Sequence, residues 1–173
     1  DIQVDRRYLE GTLILETSFT CGAGRVRVID FMALSDEHES RVVRIVEGIR
    51  GKVRMKMDLR FRFDYGHIIP WIKHSNGEWN IIAGPDAMVL HSPTRLQGEG
   101  FATVSSFTVS AGQQIPMVLS WHRSHEPAPR RRSAARMLQS TRRRWRLWSS
   151  RCTATGEWRD DIVRSAIVLK AMT

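Results

Sequence analysis

The sequence predicts a mainly β protein: an antiparallel β-sandwich followed by two C-terminal α-helices. Three observations predict this fold class. Short segments with apolar residues at every second position recur through the first 122 residues. Turn sequences rich in glycine, asparagine, aspartate and serine separate these segments. After residue 129 the apolar residues recur with the period of a helix instead.

The first predicted pair of strands is a hairpin. Residues 12 to 20 place Leu13, Leu15, Thr17 and Phe19 on one face of a strand, and residues 25 to 34 form its partner. The sequence CGAG at 21 to 24 supplies the turn between them.

The most regular alternation is VRMKMDLRFRF at residues 53 to 63. Its apolar side chains point to one face and its charged side chains point to the other, which predicts a strand with one face in the core. Further strands are predicted at 41 to 49, 79 to 83, 87 to 91, 102 to 109 and 115 to 122. The turns between strands are predicted at 75 to 78, 83 to 86, 97 to 100 and 110 to 114.

Two helices complete the prediction. The first carries one apolar arc on its surface, made of Ala134, Met137, Leu138, Thr141, Trp145 and Trp148. The second runs from residue 158 to 172, with Asp160 and Asp161 near its positive N-terminal end. Because its apolar face is wide, we expect partners on several sides and a chain that continues beyond Thr173.

The charge of the chain is concentrated in one segment. The formal net charge is +9, and nine arginines and no acidic residue lie between Pro129 and Arg151. Phosphate binding by these arginines, with Trp145 and Trp148 stacked on bases, is one interpretation. The other is a solvated helix face with both tryptophans packed in the core. We prefer the second, so nucleic acid is not a predicted partner.

The cysteines and the hydropathy point to a cytoplasmic protein. Cys21 and Cys152 are far apart in sequence and are interpreted as free thiols rather than a disulfide. No Cys/His cluster predicts a metal site, and no cofactor motif is present. No apolar run approaches the roughly 20 residues of a membrane span, so no membrane association is predicted.

Residues 60 to 79 contain the side chains of a possible active site. Asp64 and His67 could act as an acid/base pair, although Asp and Gly at 64 to 66 are also typical of a turn. Tyr65, His67 and Trp71 are the candidate binding residues, for a sugar or for another domain. No catalytic residue is predicted. Paired carboxylates for glycoside hydrolysis were sought among Glu37, Glu39, Asp58, Asp64, Asp160 and Asp161, and the sequence brings no two of them together.

Several stretches together resemble the N-terminal domain of bacterial glycoside hydrolase family 15 proteins, the glucoamylase-like and trehalase-like enzymes. They are YLEGTLILETSF, GRVRVIDFMAL, RVVRIVEGIRGKVRMKMDLRFRFDYG, IPWI, AGPDAMVL and FTVSAGQQIPMVLSWHRSHEP. The final run from Trp145 resembles the linker helix of that family followed by the first helix of its catalytic domain. The linker of relatives mixes acids with bases, so the all-arginine segment departs from the family pattern.

The resemblance implies a division of the chain and a function. Residues 1 to 126 would be a supersandwich-like β domain that lacks its first portion, residues 127 to 151 a linker and arginine-rich helix, and residues 152 to 173 the start of an (α/α)6 catalytic barrel. The catalytic glutamates of the family match no position here. We therefore expect a catalytically inert domain that supports the barrel of an inverting α-glycosidase. The alternative is a stand-alone binding module, for carbohydrate through the sandwich or for nucleic acid through the arginine-rich helix.

Overall fold

The computed structural model describes residues 1–34, 40–75 and 78–173. Within these residues the chain forms antiparallel strands followed by two helices, which confirms the predicted fold class. The strands are β1 Gln3–Tyr8, β2 Leu15–Cys21, β3 Gly24–Met32, β4 Arg41–Leu59, β5 Trp71–Ser75, β6 Glu78–Ala83, β7 Asp86–His91, β8 Gln97–Glu99, β9 Ala102–Ser110 and β10 Gln114–Arg123. The helices are α1 Ala134–Ser149 and α2 Arg159–Ala171, and a 3₁₀ turn spans Asp64–Gly66.

Strand β4 belongs to two sheets. Its first half pairs with β3 and β10 in a main sheet of order β1-β2-β3-β4-β10-β7-β6-β5. Its second half, from Lys52 to Leu59, pairs with β9, which pairs with β8 in a small second sheet. The sequence predicted two strands here, at 41 to 49 and 53 to 63, and this prediction was wrong: one 19-residue strand crosses from sheet to sheet.

The crossing point of β4 is held by two hairpin turns. The Gly48 N–H donates to Gln113 O at 2.9 Å, and the Gly112 N–H donates back to Gly48 O at 2.8 Å. The Lys52 N–H donates to Ala23 O at 3.2 Å, in the turn of the β2–β3 hairpin. The backbone groups released where β4 leaves the main sheet therefore find new partners, as buried backbone requires.

Apolar side chains on both faces of the main sheet are buried. On one face, Val26, Val28 and Met117 pack with Val53 and Val109 of the second sheet. On the other face, Ile29, Phe31 and Val43 pack with Ala134 and Met137 of α1. A third cluster around Phe61, Ile81 and Leu90 extends the first layer. The molecule therefore has three layers, with the small sheet and α1 covering opposite faces of the main sheet.

Most local predictions agree with the structure. The β2–β3 hairpin forms with its turn at Gly22 and Ala23, and α1 buries Ala134, Met137, Thr141 and Trp145. The turn predicted at 97 to 100 is wrong in part, because Gln97–Glu99 is the short strand β8. Strand β1 was not predicted. The predicted turn at 75 to 78 includes Asn76 and Gly77, which lie outside the described residues.

Candidate functional site

The segment from residue 60 to 71 leaves β4 and returns to the main sheet as β5. Phe63 and Ile68 form an isolated antiparallel bridge, with hydrogen bonds of 3.0 and 3.1 Å between their backbone groups. Asp64 and Tyr65, at the tip of this loop, have φ angles of 49° and 52°. Left-handed backbone at two consecutive residues other than glycine is uncommon and is favoured by short turns. The turn interpretation of these residues is therefore correct.

The three candidate binding residues all lie on this segment and are all exposed. The Tyr65 side chain is fully exposed, His67 is exposed, and Trp71 is 86% exposed. Among the described residues, no side-chain hydrogen bond joins Asp64 to His67; the link between them is a backbone bond from the His67 N–H to Asp64 O at 3.0 Å. The segment presents two aromatic rings to solvent, and it lacks the geometry of an acid/base pair.

The candidate carboxylates are dispersed. Asp58 lies on the exposed face of β4 and accepts a hydrogen bond from Arg60 at 3.2 Å, and Asp64 lies in the 3₁₀ turn. Asp160 and Asp161 occupy the first turn of α2. Glu37 and Glu39 lie outside the described residues. Within the part of the chain that the structure describes, no group of three or more His, Cys, Asp or Glu side chains could hold a metal ion.

A large cleft lies where α1, α2 and the loop between β1 and β2 meet, and we call it the junction cleft. Its volume is about 680 Å³. Its charged lining residues are Glu10, Arg146, Arg159, Asp160, Asp161 and Arg164. The sequence offered no signal for Glu10, because its proximity to α2 is a long-range contact. The lining thus mixes three acidic and three basic side chains.

Helix α2 is attached to the sandwich through one side. The Arg164 Nη1 donates to Thr12 O at 2.8 Å, and its guanidinium lies 4.4 Å from the centre of the Tyr8 ring. Ile167, one turn further along the same face, is 1% exposed. The i, i+3 spacing of these two residues could have indicated the buried side of the helix.

The opposite side of α2 remains apolar and exposed. Its exposed apolar residues are Ile162, Val168 and Leu169, and the exposed Trp158 and Met172 flank its two ends; Leu169 is 66% exposed. Burying such side chains is worth about 1.5–3 kcal/mol each. An exposed apolar helix face of this kind is typical of a surface that meets another structural unit.

The arginines of α1 face solvent, whereas Trp145 is buried and Trp148 is half-buried. Trp145 is 5% exposed, and its ring meets that of Trp148 edge to face at 6.1 Å. Trp145 is therefore unable to stack on a base, and the interpretation of this tryptophan as part of the core is confirmed. Neither helix in the described part of the chain has the length and apolar character that a membrane crossing requires.

Comparison with known proteins shows which family this chain is similar to. The family model described as "Trehalase-like, N-terminal" matches residues 2–145. The chain is 28% identical to a trehalase of Mycolicibacterium smegmatis, an alignment that covers 97% of this chain and 29% of the relative. It is 26% identical to a trehalase of Thermoplasma acidophilum, covering 99% of this chain and 30% of the relative.

The chain thus spans less than a third of the length of these curated relatives. Among solved structures, a putative kojibiose phosphorylase from the human microbiome matches with a TM-score of 0.43 and 9% identity, covering 95% of this chain and 24% of that one. Because the family model covers most of the sequence, including every described strand, the chain belongs to the family of trehalase-like N-terminal domains.

Proposed function

We propose that this chain is the non-catalytic N-terminal domain of a larger inverting α-glycosidase of glycoside hydrolase family 15, similar to trehalase or glucoamylase. In this proposal residues 1 to 126 form the supporting sandwich, 127 to 151 the linker with α1, and 152 to 173 the first helix of an (α/α)6 catalytic barrel. A cytoplasmic location fits the two free cysteines, Cys21 and Cys152.

The observation that carries the proposal is the exposed apolar face of α2. This helix contacts the sandwich through Arg164 and buries Ile167 on the same side, whereas Ile162, Val168 and Leu169 are exposed. A helix of a catalytic barrel needs neighbours on these other sides. The greater length of the trehalases that match this chain supports the same conclusion.

Hydrogen exchange tests whether α2 docks against a further domain. We expect the α2 amides to exchange at least about tenfold more slowly in a longer polypeptide that carries the catalytic domain than in the 173-residue chain, because packing raises the local opening free energy. The amides of β7, an interior strand of the main sheet between β10 and β6, serve as the internal control. Equal exchange of α2 in both proteins would contradict the proposal.

A pair of surface variants makes the same test in the longer enzyme. Leu169→Asp, on the exposed face of α2, is expected to lower its thermal stability and its hydrolysis of trehalose. Phe101→Asp, in the exposed turn between β8 and β9, is expected to change neither. Neither variant should affect the folding of the 173-residue chain, since both side chains are exposed there.

A second candidate function is carbohydrate binding, which the full exposure of Tyr65 and the 86% exposure of Trp71 favour. Exposed aromatic rings beside polar groups such as His67 suit the apolar faces of sugar rings. Titration with maltooligosaccharides, followed by tryptophan fluorescence, tests this function. Loss of the signal in Trp71→Ala, but not in Trp158→Ala, would support it, and the absence of any saturable change would remove it.

A further inference from the structure

The loop that joins β1 to β2, residues 9 to 14, lies between the two helices, and we call it the β1–β2 loop. Its Gly11 lines the junction cleft together with Ser149, the last residue of α1, and with Arg164 and Ile167 of α2. Both helices therefore meet the sandwich at the same short loop.

Hydrogen bonds within the β1–β2 loop hold it in one conformation. The Leu9 N–H donates to Ile14 O at 2.8 Å, and the Thr12 N–H donates to Leu9 O at 3.1 Å. Thr12 is completely buried, and its Oγ1 donates to Leu9 O at 2.8 Å and accepts from the Ile14 N–H at 3.0 Å. Because the amide and the hydroxyl of Thr12 are both bonded, the direction of its carbonyl group is fixed.

Arg164 joins α2 to this loop in two ways. Its Nη1 donates to Thr12 O at 2.8 Å, a partly buried hydrogen bond from a charged donor. Its guanidinium lies 4.4 Å from the centre of the Tyr8 ring, within the range of a cation–π interaction. A helix of 13 residues is marginal in water by itself, so α2 depends on such contacts to remain folded.

Gly11 holds the other side of the β1–β2 loop against α1. Its φ angle is +67°, and a Cβ atom at this position would lie 2.7 Å from Ser149 Oγ. Ser149 Oγ in turn donates to Arg146 O at 3.2 Å, one turn earlier in α1. Glycine suits the position for both its conformation and the space available. The loop thus contacts the end of α1 on one side and α2 on the other.

We propose that the β1–β2 loop is a joint that sets the direction of α2 relative to α1 and the main sheet, with Arg164 as its positioning residue. Through this joint the sandwich holds the unit to which α2 belongs. The inference rests on the proposed function for the identity of that unit, the catalytic domain. The contacts of the joint lie within the 173-residue chain, where they are tested separately from that identity.

Hydrogen exchange of the α2 amides in the 173-residue chain tests the role of Arg164. Arg164→Gln should speed their exchange about three- to tenfold, because α2 loses a hydrogen bond and a ring contact. Tyr8→Leu should speed it about two- to fivefold. The double variant should show less than the product of the two effects, since both substitutions remove the same pair. Arg164→Lys keeps the charge but not the planar fork, and should lie between Arg164→Gln and the parent.

Two controls accompany this measurement. Arg159→Gln, whose side chain lines the same cleft, should change the exchange of α2 by less than about twofold. The amides of β7 should be unchanged in every variant, which shows that the sandwich itself stays folded. Unchanged exchange of α2 in Arg164→Gln, or effects of Tyr8→Leu and Arg164→Gln that multiply fully, would overturn the proposal.

A substitution on the α1 side of the loop distinguishes a joint from a local contact of α2. Gly11→Ala should speed exchange of the α2 amides by about threefold or more, because the methyl group displaces the loop that carries Thr12 O. Adding Ser149→Ala, which removes the overlapping Oγ, should recover part of the loss. An effect of Gly11→Ala that leaves the α2 amides unchanged would overturn the proposal.

Calorimetry of a longer polypeptide that carries the catalytic domain tests whether the joint couples two domains. The first unfolding transition should fall by about 2–4 °C in Arg164→Gln and any later one should stay, because a contact between domains stabilises the domain that unfolds first. A fall in a later transition alone, or no change, would overturn the proposal. Equal exchange of α2 in the long and short parent proteins would instead contradict the proposed function, whereas unchanged exchange in Arg164→Gln contradicts the joint.

Discussion

Gly48 lies where β4 leaves the main sheet, and its lack of a side chain permits the crossing. A Cβ atom built at this position would overlap the carbonyl oxygen of Ser110 in β9. This oxygen belongs to the backbone of a hydrogen-bonded strand. A change of side-chain rotamer is therefore unable to relieve the overlap. The alternating pattern of β4 gives no hint of this contact, because Ser110 is distant in sequence.

Gly48→Ala is therefore expected to lower the free energy of unfolding by about 1–3 kcal/mol, the usual cost of overpacking. Urea denaturation provides the measurement. Gly98→Ala in β8 is the control, because no atom lies within 4 Å of the added methyl group, and we expect a change of at most about 0.5 kcal/mol. Equal effects of the two substitutions would contradict the crossing geometry.

Glu47 contributes a pH-dependent interaction between strands. Burial opposes its ionisation, but hydrogen bonds from Arg27 and Gln114 and the charge of Arg27 outweigh burial, so the pKa of Glu47 lies below its ordinary value of 4.5. A carboxyl whose pKa is lowered in the folded state stabilises the fold above its ordinary pKa, and this stabilisation is lost as the pH falls below that value.

We expect Glu47→Gln to be less stable than the parent chain at pH 7, by about 1 kcal/mol or less because the ion pair is partly exposed. The difference should shrink as the pH falls below 4.5 and through the lowered pKa of Glu47 in the folded chain, where the parent carboxyl becomes protonated. Urea titrations at a series of pH values measure it, with Glu99→Gln on exposed β8 as the control. A difference that stays constant at acidic pH would contradict this assignment.

At the scale of elements, Thr141 joins α1 to the main sheet. It is completely buried, and its Oγ1 accepts a hydrogen bond from the Leu34 N–H at 3.1 Å, just beyond the end of β3. The helical period placed Thr141 on the apolar arc of α1, but the reason for a hydroxyl there depends on a partner 107 residues away. Sequence periodicity is unable to reveal such a pair.

Thr141→Val should lower the unfolding free energy by about 0.5–1.5 kcal/mol, because the partly buried Leu34 N–H loses its acceptor. Thr141→Ser keeps the hydroxyl and should recover most of that loss. Thermal unfolding followed by circular dichroism measures both. If the valine variant were as stable as the parent, the hydrogen bond would not connect helix and sheet as described.

The arginines of α1 repel one another along its exposed face. No acidic residue occurs in the first turn of the helix, and Arg142 and Arg146 are neighbours at the i, i+4 spacing. Arg142→Glu replaces a repulsive pair with an attractive one and should stabilise the chain by about 0.3–0.5 kcal/mol relative to Arg142→Gln. Added salt should reduce this difference. A glutamate variant less stable than the glutamine variant would contradict the prediction.

The elements that the sequence predicted well are those whose patterns are local. Alternation identified the segments of β2, β3, β6, β7, β9 and β10, and a helical period identified α1 and α2. The single long strand β4 was divided in two because glycines at 48 and 51 resemble a turn, whereas in the structure they permit a crossing between sheets. Strand β1 was missed because all of its residues are exposed and its alternation is weak.

At the scale of the whole molecule, the candidate surfaces were only partly predictable. Exposure of Tyr65, His67 and Trp71 follows from a loop that the sequence indicated. The junction cleft was not predicted, because it depends on how α2 packs against residues near the start of the chain, through Arg164 and Thr12.

The central proposal is that this chain supports the catalysis of a larger enzyme without performing it, and glucose release by the purified 173-residue chain tests this proposal most directly. The assay uses trehalose and maltooligosaccharides, with the trehalase of Mycolicibacterium smegmatis as the positive control. We predict no glucose above the level of buffer alone, because the described candidate carboxylates Asp58, Asp64, Asp160 and Asp161 lie apart on β4, the 3₁₀ turn and α2, with only Asp160 and Asp161 near one another. Glucose release that a substitution of Asp58, Asp64, Asp160 or Asp161 abolishes would contradict the claim.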